Sequence, residues 1–235
     1  MTTGRQAEFD HLQAEFDHLL VFVDDPMLLR ESLARDWGLH VHADTTQFGD
    51  GVANLIVPLE PPQYLEILYV HDQARFEHSG DVAFLDRLRA GGGLGAWALR
   101  TWDLPAVEMA LGRERDPVDA ALLADGSVPP WSTVSKPGDP MGYPFYIQYG
   151  AGADERLARW RQRLMEVAHR YEPSGIRSME ISASDPDDLE RWLVPATNLD
   201  IRVIAGPPSL RATIRVGDRE MVLSSEYPGG IPQPL

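Results

Sequence analysis

The chain has no cysteine among its 235 residues, which rules out disulfides, thiolate zinc sites and a cysteine nucleophile. Any metal would have to be held by His, Asp, Glu, carbonyls or water. Lys136 is the only lysine; the other basic residues are all arginine. A phosphate-loop lysine or a Schiff-base lysine elsewhere is thereby excluded. Positive charge is scarce, and the net charge of −15 at pH 7 argues against nucleic acid or an anionic membrane as a partner, since both need a basic surface. No run of 18 apolar residues occurs, so no membrane span is expected. The opening MTTGRQAEFDHLQ lacks a cationic end followed by an apolar stretch, and a cytoplasmic protein is expected. With 43% hydrophobic and 24% charged residues, the chain has enough apolar material for a sizeable core.

AEFDHL occurs at 7–12 and again at 14–19. A period of seven seen twice is too short for a structural unit, so residues 1–15 read as an N-terminal arm and the second copy as the structural one. FDHLLVFV (16–23) reads as a buried strand. Asp25-Pro26 supplies a helix cap and first position, Leu28, Leu29, Leu33, Ala34 and Trp37 follow at helical spacing, and Gly38 sits at the helix end. LHVHADTT (39–46), VANLIVPL (52–59) and QYLEILYV (63–70) then read as three strands. Residues 16–72 thus form a strand–helix–strand–strand–strand module, and 73–93 a linker helix.

The order recurs. WALRTWDLP (97–105) aligns with HLLVFVDDP (18–26), a helix is expected over 105–113, strands near 119–124 and 131–135, and YPFYIQY (143–149) closes a second module, 94–150. A spacing of about 80 residues with matched element order indicates duplication. An arginine-rich amphipathic helix, within a connector over 151–173, precedes a third, weaker echo at 174–226, with Asp185-Pro186 at its strand-to-helix junction and a hairpin turn at Gly217-Asp218. The tail 227–235 is rich in Pro and Gly and is expected to be flexible.

FDHLLVFVDDP…FGDGVANLIVPLE…YLEIL, together with AWALRT and PFYIQYG, resembles the glyoxalase-like branch of the vicinal oxygen chelate superfamily. The resemblance implies an α+β fold of paired βαβββ modules, each curled into a half-barrel, with a third, partial module at the C-terminus. It also implies a cleft in which a divalent metal is held by the first and last strands of each module. Carried over residue by residue, His18 and Glu66 occupy the two ligand positions of the first module. In the second module Trp97 stands at the first-strand position, where an indole cannot bind a metal. Gln148 stands at or beside the last-strand position. The metal set implied is therefore His18, Glu66 and Gln148. Gln47, Asn54, Tyr64, Trp97, Phe145 and Gln148 are candidates for the substrate cavity, and His18 and Glu66 for the chemistry.

Other features weigh less. His40 and His42 share a strand face at a spacing able to hold zinc, although exposed strand histidines are commoner. Gly91-Gly92-Gly93 lacks the spacing of a dinucleotide fingerprint, so no nucleotide cofactor is expected. Ser132 and Ser135 have no nucleophile-elbow context. Three functional readings follow. One is a metal-dependent lyase, isomerase or oxygenase acting on a small oxygen-rich substrate. Another is a non-catalytic protein that sequesters or senses a small molecule and has lost its metal. The last is a metal-free enzyme with His18 as base. Pairing of two copies by their sheets is left open.

Overall fold

The computed structural model describes residues 14–79, 82–89, 91–118, 122–138, 140–196 and 199–234. The first AEFDHL copy lies outside these residues. The second opens β1 (Ala14–Phe22), which leads into α1 (Pro26–Ser32) and a π-helical turn, Leu33–Trp37. The Asp25 carboxylate accepts from the Met27 and Leu28 backbone N–H groups, and Gly38 closes the turn at φ 65°. The same Asp-then-Pro device starts α4 (Leu104–Leu111), capped by Asp103, and α6 (Pro186–Trp192), capped by Asp185. Three junctions built alike support the internal repeat.

Between these lie β2 (Val52–Pro58), β3 (Tyr64–Val70), α2 (Gln73–Ser79), α3 (Val82–Arg89), β4 (Gly93–Thr101), β5 (Trp131–Val134), β6 (Phe145–Tyr149) and α5 (Ala153–Val167). Six strands make one sheet in the order β2-β3-β1-β4-β6-β5. β1 runs parallel to β3, β4 runs parallel to β6, and β1 and β4 meet antiparallel at the centre. First and last strands of each module are therefore neighbours, as the resemblance implies, and the curled sheet is two half-barrels joined edge to edge.

One expected strand is not formed, and another is described only in part. Residues 39–46 run beside β2 with few ladder bonds: His42 N–H donates to the Ile56 carbonyl (2.8 Å) and Gln47 bridges Ala53. Side chains take over the rest, since the Asp44 and Thr46 N–H groups donate to His42 Nδ1 and Asn54 Oδ1. Near 119–124, Leu123 makes only a bridge to Phe48, and residues 119–121 lie outside those described.

The C-terminal part forms a second sheet, β11-β10-β9-β7-β8, from β7 (Pro173–Ala183), β8 (Ile201–Ala205), β9 (Ser209–Val216), β10 (Arg219–Ser224) and β11 (Gln233–Pro234). Its element order repeats the module, but β7 pairs in parallel with β8, the strand just after the helix, and antiparallel with β9. The tail expected to be flexible is instead paired, Val222 with Gln233 and Met221 with Pro234.

One face of each sheet supplies the core. Leu19, Val21, Trp97, Leu99 and Tyr146 from the first sheet join Ile181, Leu210, Ala212 and Met221 from the second in one buried cluster. Burial of this apolar surface is the main driving force for folding. The C-terminal sheet thus covers the back of the six-stranded sheet, leaving the opposite face free to line a cavity. No helix among the described residues is long and apolar enough to cross a membrane.

Candidate active site

Strand alternation puts His18, Leu20 and Phe22 on the cavity face of β1, and Leu19 and Val21 in the core. Phe16 also lies in the core, which leaves Asp17 and His18 both between two core residues. The pairing with β4 explains this: Phe16 faces Leu99 and His18 faces Ala98, so Asp17 is the extra residue of a β-bulge. The bulge turns two consecutive polar side chains to one side of the sheet. Both are buried, at 0% and 2% exposure.

The Asp17 carboxylate accepts from four neighbours: His18 Nδ1 (2.8 Å), the Tyr149 hydroxyl (2.7 Å), Arg100 (2.9 Å) and Arg156 (2.9 and 3.0 Å). Burial alone pushes its pKa up. The His18 hydrogen bond and the charges of Arg156, His18 and Arg100 outweigh this and hold it well below the usual carboxylate range. An ionised carboxylate only accepts, so His18 carries its proton on Nδ1 and presents Nε2 to the cavity.

There Nε2 lies 3.3 Å from Glu66 Oε2. Glu66 comes from β3, the parallel neighbour of β1, and its other oxygen accepts from Asn54 Nδ2 (2.7 Å). The contact is within ion-pair reach without hydrogen-bond alignment, and a proton on either group would make the approach favourable. Tyr64 stacks on the His18 ring (4.5 Å, 15°), and Trp160 of α5 stacks on Tyr64 (4.3 Å, 14°). Phe145 meets the same imidazole edge-on at 5.6 Å. The Tyr64 and Tyr149 hydroxyls are 3.3 Å apart. Burial, followed by the nearby carboxylate charges, pushes both phenols well above the ordinary value. These groups line a cavity of about 790 Å³ between the sheet and α5.

Of the residues singled out from sequence, His18, Asn54, Tyr64, Glu66 and Phe145 converge here. Trp97 and Gln148 do not, which corrects their expected place in the cavity. Trp97 points into the core, packs on Phe16 (5.8 Å) and donates through Nε1 to the Gly142 carbonyl. Gln148 alternates away from Ile147 and Tyr149, and its side-chain oxygen accepts from Leu104 N–H at the start of α4 (2.8 Å). Gln47 is exposed and also stands outside the cavity. The duplication registers one residue away from the sequence alignment, later on β4 and earlier on β6. His18 pairs with Tyr64 as Ala98 pairs with Phe145, and Leu20 with Glu66 as Arg100 with Ile147. The second-module counterparts of His18 and Glu66 are therefore Ala98 and Ile147, neither of which carries a donor.

The superfamily's divalent metal can be tested against these side chains. His18 Nε2 and Glu66 Oε2 could each donate. The Asp17 oxygens are taken up by four hydrogen-bond donors, Asn54 Oδ1 accepts from Thr46 N–H, and Gln148 faces elsewhere. Two protein ligands fall short of the three usual in a catalytic zinc site, and among the described residues no group of three His, Asp or Glu is placed to hold an ion. The donor set does not fit a tightly held resident metal. His42 is likewise engaged, with Nε2 on Glu166 (2.7 Å) and Nδ1 accepting from Asp44 N–H.

Sequence reasoning missed Asp17, Arg100, Tyr149, Arg156 and Trp160. The run Phe16-Asp17-His18-Leu19 carried a signal, because two polar residues where alternation allows one imply a bulge. Nothing local marks Arg156 or Trp160, whose helix reads as a connector and is in fact a wall of the site.

The glyoxalase-like domain model matches residues 16–197, and the chain belongs to that family. No curated protein matches. Among solved structures, a hypothetical protein from Staphylococcus aureus is 14% identical, over 82% of this chain and 86% of that one, with a TM-score of 0.59. Methylmalonyl-CoA epimerase from Streptomyces coelicolor, in complex with 2-nitronate-propionyl-CoA, is 18% identical over 60% of this chain and 99% of that one, TM-score 0.43. The Mycobacterium tuberculosis epimerase is 15% identical over 60% and 89%, TM-score 0.39. At 14% identity the first of these likenesses is one of fold.

Proposed function

We propose that this protein catalyses proton transfer at a carbon beside a carbonyl in a small oxygen-rich substrate, with His18 as base and Glu66 as its proton-carrying partner. The observation that carries this reading is the Asp17–His18–Glu66 line, in which a buried, ionised Asp17 fixes the imidazole so that Nε2 meets Glu66 at the cavity wall. Asp17 orients the ring and stabilises the imidazolium, as the carboxylate does in other Asp–His pairs.

In the reactive form Glu66 carries a proton and the Nε2 lone pair is free. The substrate C–H bond breaks, its proton bonds to Nε2, and the electron pair moves through carbon to the carbonyl oxygen. That oxygen takes the proton of Glu66. The product is a neutral enol, with imidazolium held between the Asp17 and Glu66 carboxylates. Imidazolium then returns a proton to the same or the neighbouring carbon while an enol O–H gives its proton back to Glu66, which completes an exchange, epimerisation or isomerisation and restores the starting state. General acid–base groups of this kind contribute about 10²–10⁴-fold each.

The test is wash-out of C–H signals by ¹H NMR in D₂O, with pyruvate, 2-oxobutanoate and dihydroxyacetone as probes. Exchange should be accelerated by the protein and slowed about 100-fold or more in His18→Asn and Glu66→Gln. Equal rates in wild type and His18→Asn would refute the assignment. The loss of donors at Ala98 and Ile147 favours a second reading, a non-catalytic binding cup; saturable binding of a probe without any exchange would support it.

A further inference from the structure

Resting on that reading of the site, we infer that the substrate carries an unbranched apolar tail several carbons long, which lies along the sheet away from His18. The strand register orders the cavity floor into rows. His18 and Tyr64 form the first, Leu20 and Glu66 the second, and Phe22 and Leu68 the third. Val52 continues the floor one row further, paired with Val70. Beyond Glu66 the side chains that β1 and β3 turn to the cavity, Phe22 and Leu68, are hydrocarbon, with Asn54 opposite Leu68 and the Arg87 guanidinium over the Phe22 ring (4.8 Å) as their polar neighbours. Phe48 and Phe84 complete the trough, Phe84 packed edge-on to Phe22 at 5.1 Å.

Four residues of strand from His18 to Phe22 span about 13 Å. A three-carbon oxo acid would occupy the first two rows and leave the rest of the cavity, with the half-buried Phe48 on its wall, unfilled. Both regions belong to one continuous cavity of about 790 Å³, a size suited to a molecule much larger than pyruvate. A polar head beside His18 and Glu66 with an alkyl chain over Leu20 and along Phe48 satisfies both ends. Leu20 and Phe48 are only half-buried, so they have apolar surface left for a ligand to cover.

The experiment is calorimetric titration of the full chain with 2-oxobutanoate, 2-oxohexanoate, 2-oxooctanoate and 2-oxodecanoate. Affinity should rise about fourfold per added methylene, the factor expected for moving one CH₂ out of water, until the trough is full. Leu20→Ser and Phe48→Ser, each checked for native circular dichroism, should lower the gain to less than about twofold per methylene, while His18→Asn should leave it unchanged. Affinity independent of chain length, or the same gain in both trough variants, would overturn the inference. The two proposals fail separately. Length-dependent binding without C–H exchange removes the proton-transfer reading and leaves the tail. Exchange of pyruvate with length-independent binding removes the tail and leaves the chemistry.

Discussion

Substituting Asp17→Asn changes almost nothing in volume and should be among the most damaging single changes at the site. The carboxylate balances two buried guanidiniums, Arg100 and Arg156, and also accepts from His18 and Tyr149. The amide keeps one acceptor oxygen and turns an NH₂ group toward donors. Breaking a buried ion pair by removing one partner costs about 3–5 kcal/mol, because the remaining charge is left uncompensated. For a chain of this size that corresponds to a fall in Tm of roughly 6–20 °C. Arg156→Met in the same chain should recover part of the loss, since it removes one orphaned cation, and the two changes should be non-additive. The effect also has a pH signature. Asp17 is held below its ordinary value in the folded state, so its contribution is present above the unfolded value of 3.8 and is lost as pH falls below it. The gap between wild type and Asp17→Asn should therefore be full at pH 7 and narrow on acidification through about pH 4. Thermal unfolding followed by circular dichroism at several pH values measures all of this. A Tm within about 2 °C of wild type at pH 7 would refute the argument, since it would mean that less than about 1 kcal/mol depends on this carboxylate.

Trp97→Ala should cost about 3–5 kcal/mol of stability, read from urea denaturation, because the indole is fully buried in the core. Gln148→Ala should remove only a helix cap, about 1 kcal/mol, and leave C–H exchange unchanged. Tyr64 and Tyr149 should resist ionisation in the folded state, visible as missing phenolate absorbance at 295 nm above pH 10. Their raised values stabilise the fold below 10, and this contribution should be lost as pH climbs past that point.

Much of the architecture is legible in the sequence because its signals are local. Asp25-Pro26, Asp103-Leu104-Pro105 and Asp185-Pro186 each cap a helix by the same hydrogen bond, and their recurrence marks the repeat. The first-module residues His18, Asn54, Tyr64 and Glu66 are found for the same reason, on strands whose alternation can be read directly. What escapes is non-local or depends on register. The β1 bulge moves Asp17 onto the cavity face, and a one-residue offset exchanges Trp97 for Ala98 and Gln148 for Ile147, since a strand's side chains alternate with a period of two. Residues 39–46 have strand-like composition, yet His42 and Asn54 use their side chains to bond the backbone there. Arg156 reaches Asp17 across 139 positions, a contact no sequence window contains.

The account rests on His18 acting as a base without a resident metal, and C–H exchange in chelator-treated protein tests it most directly. After exhaustive dialysis against EDTA, wild type should wash out probe protons at its original rate, and His18→Asn should not. Loss of exchange on chelation, with recovery on adding Zn²⁺ or Mn²⁺, would contradict the account.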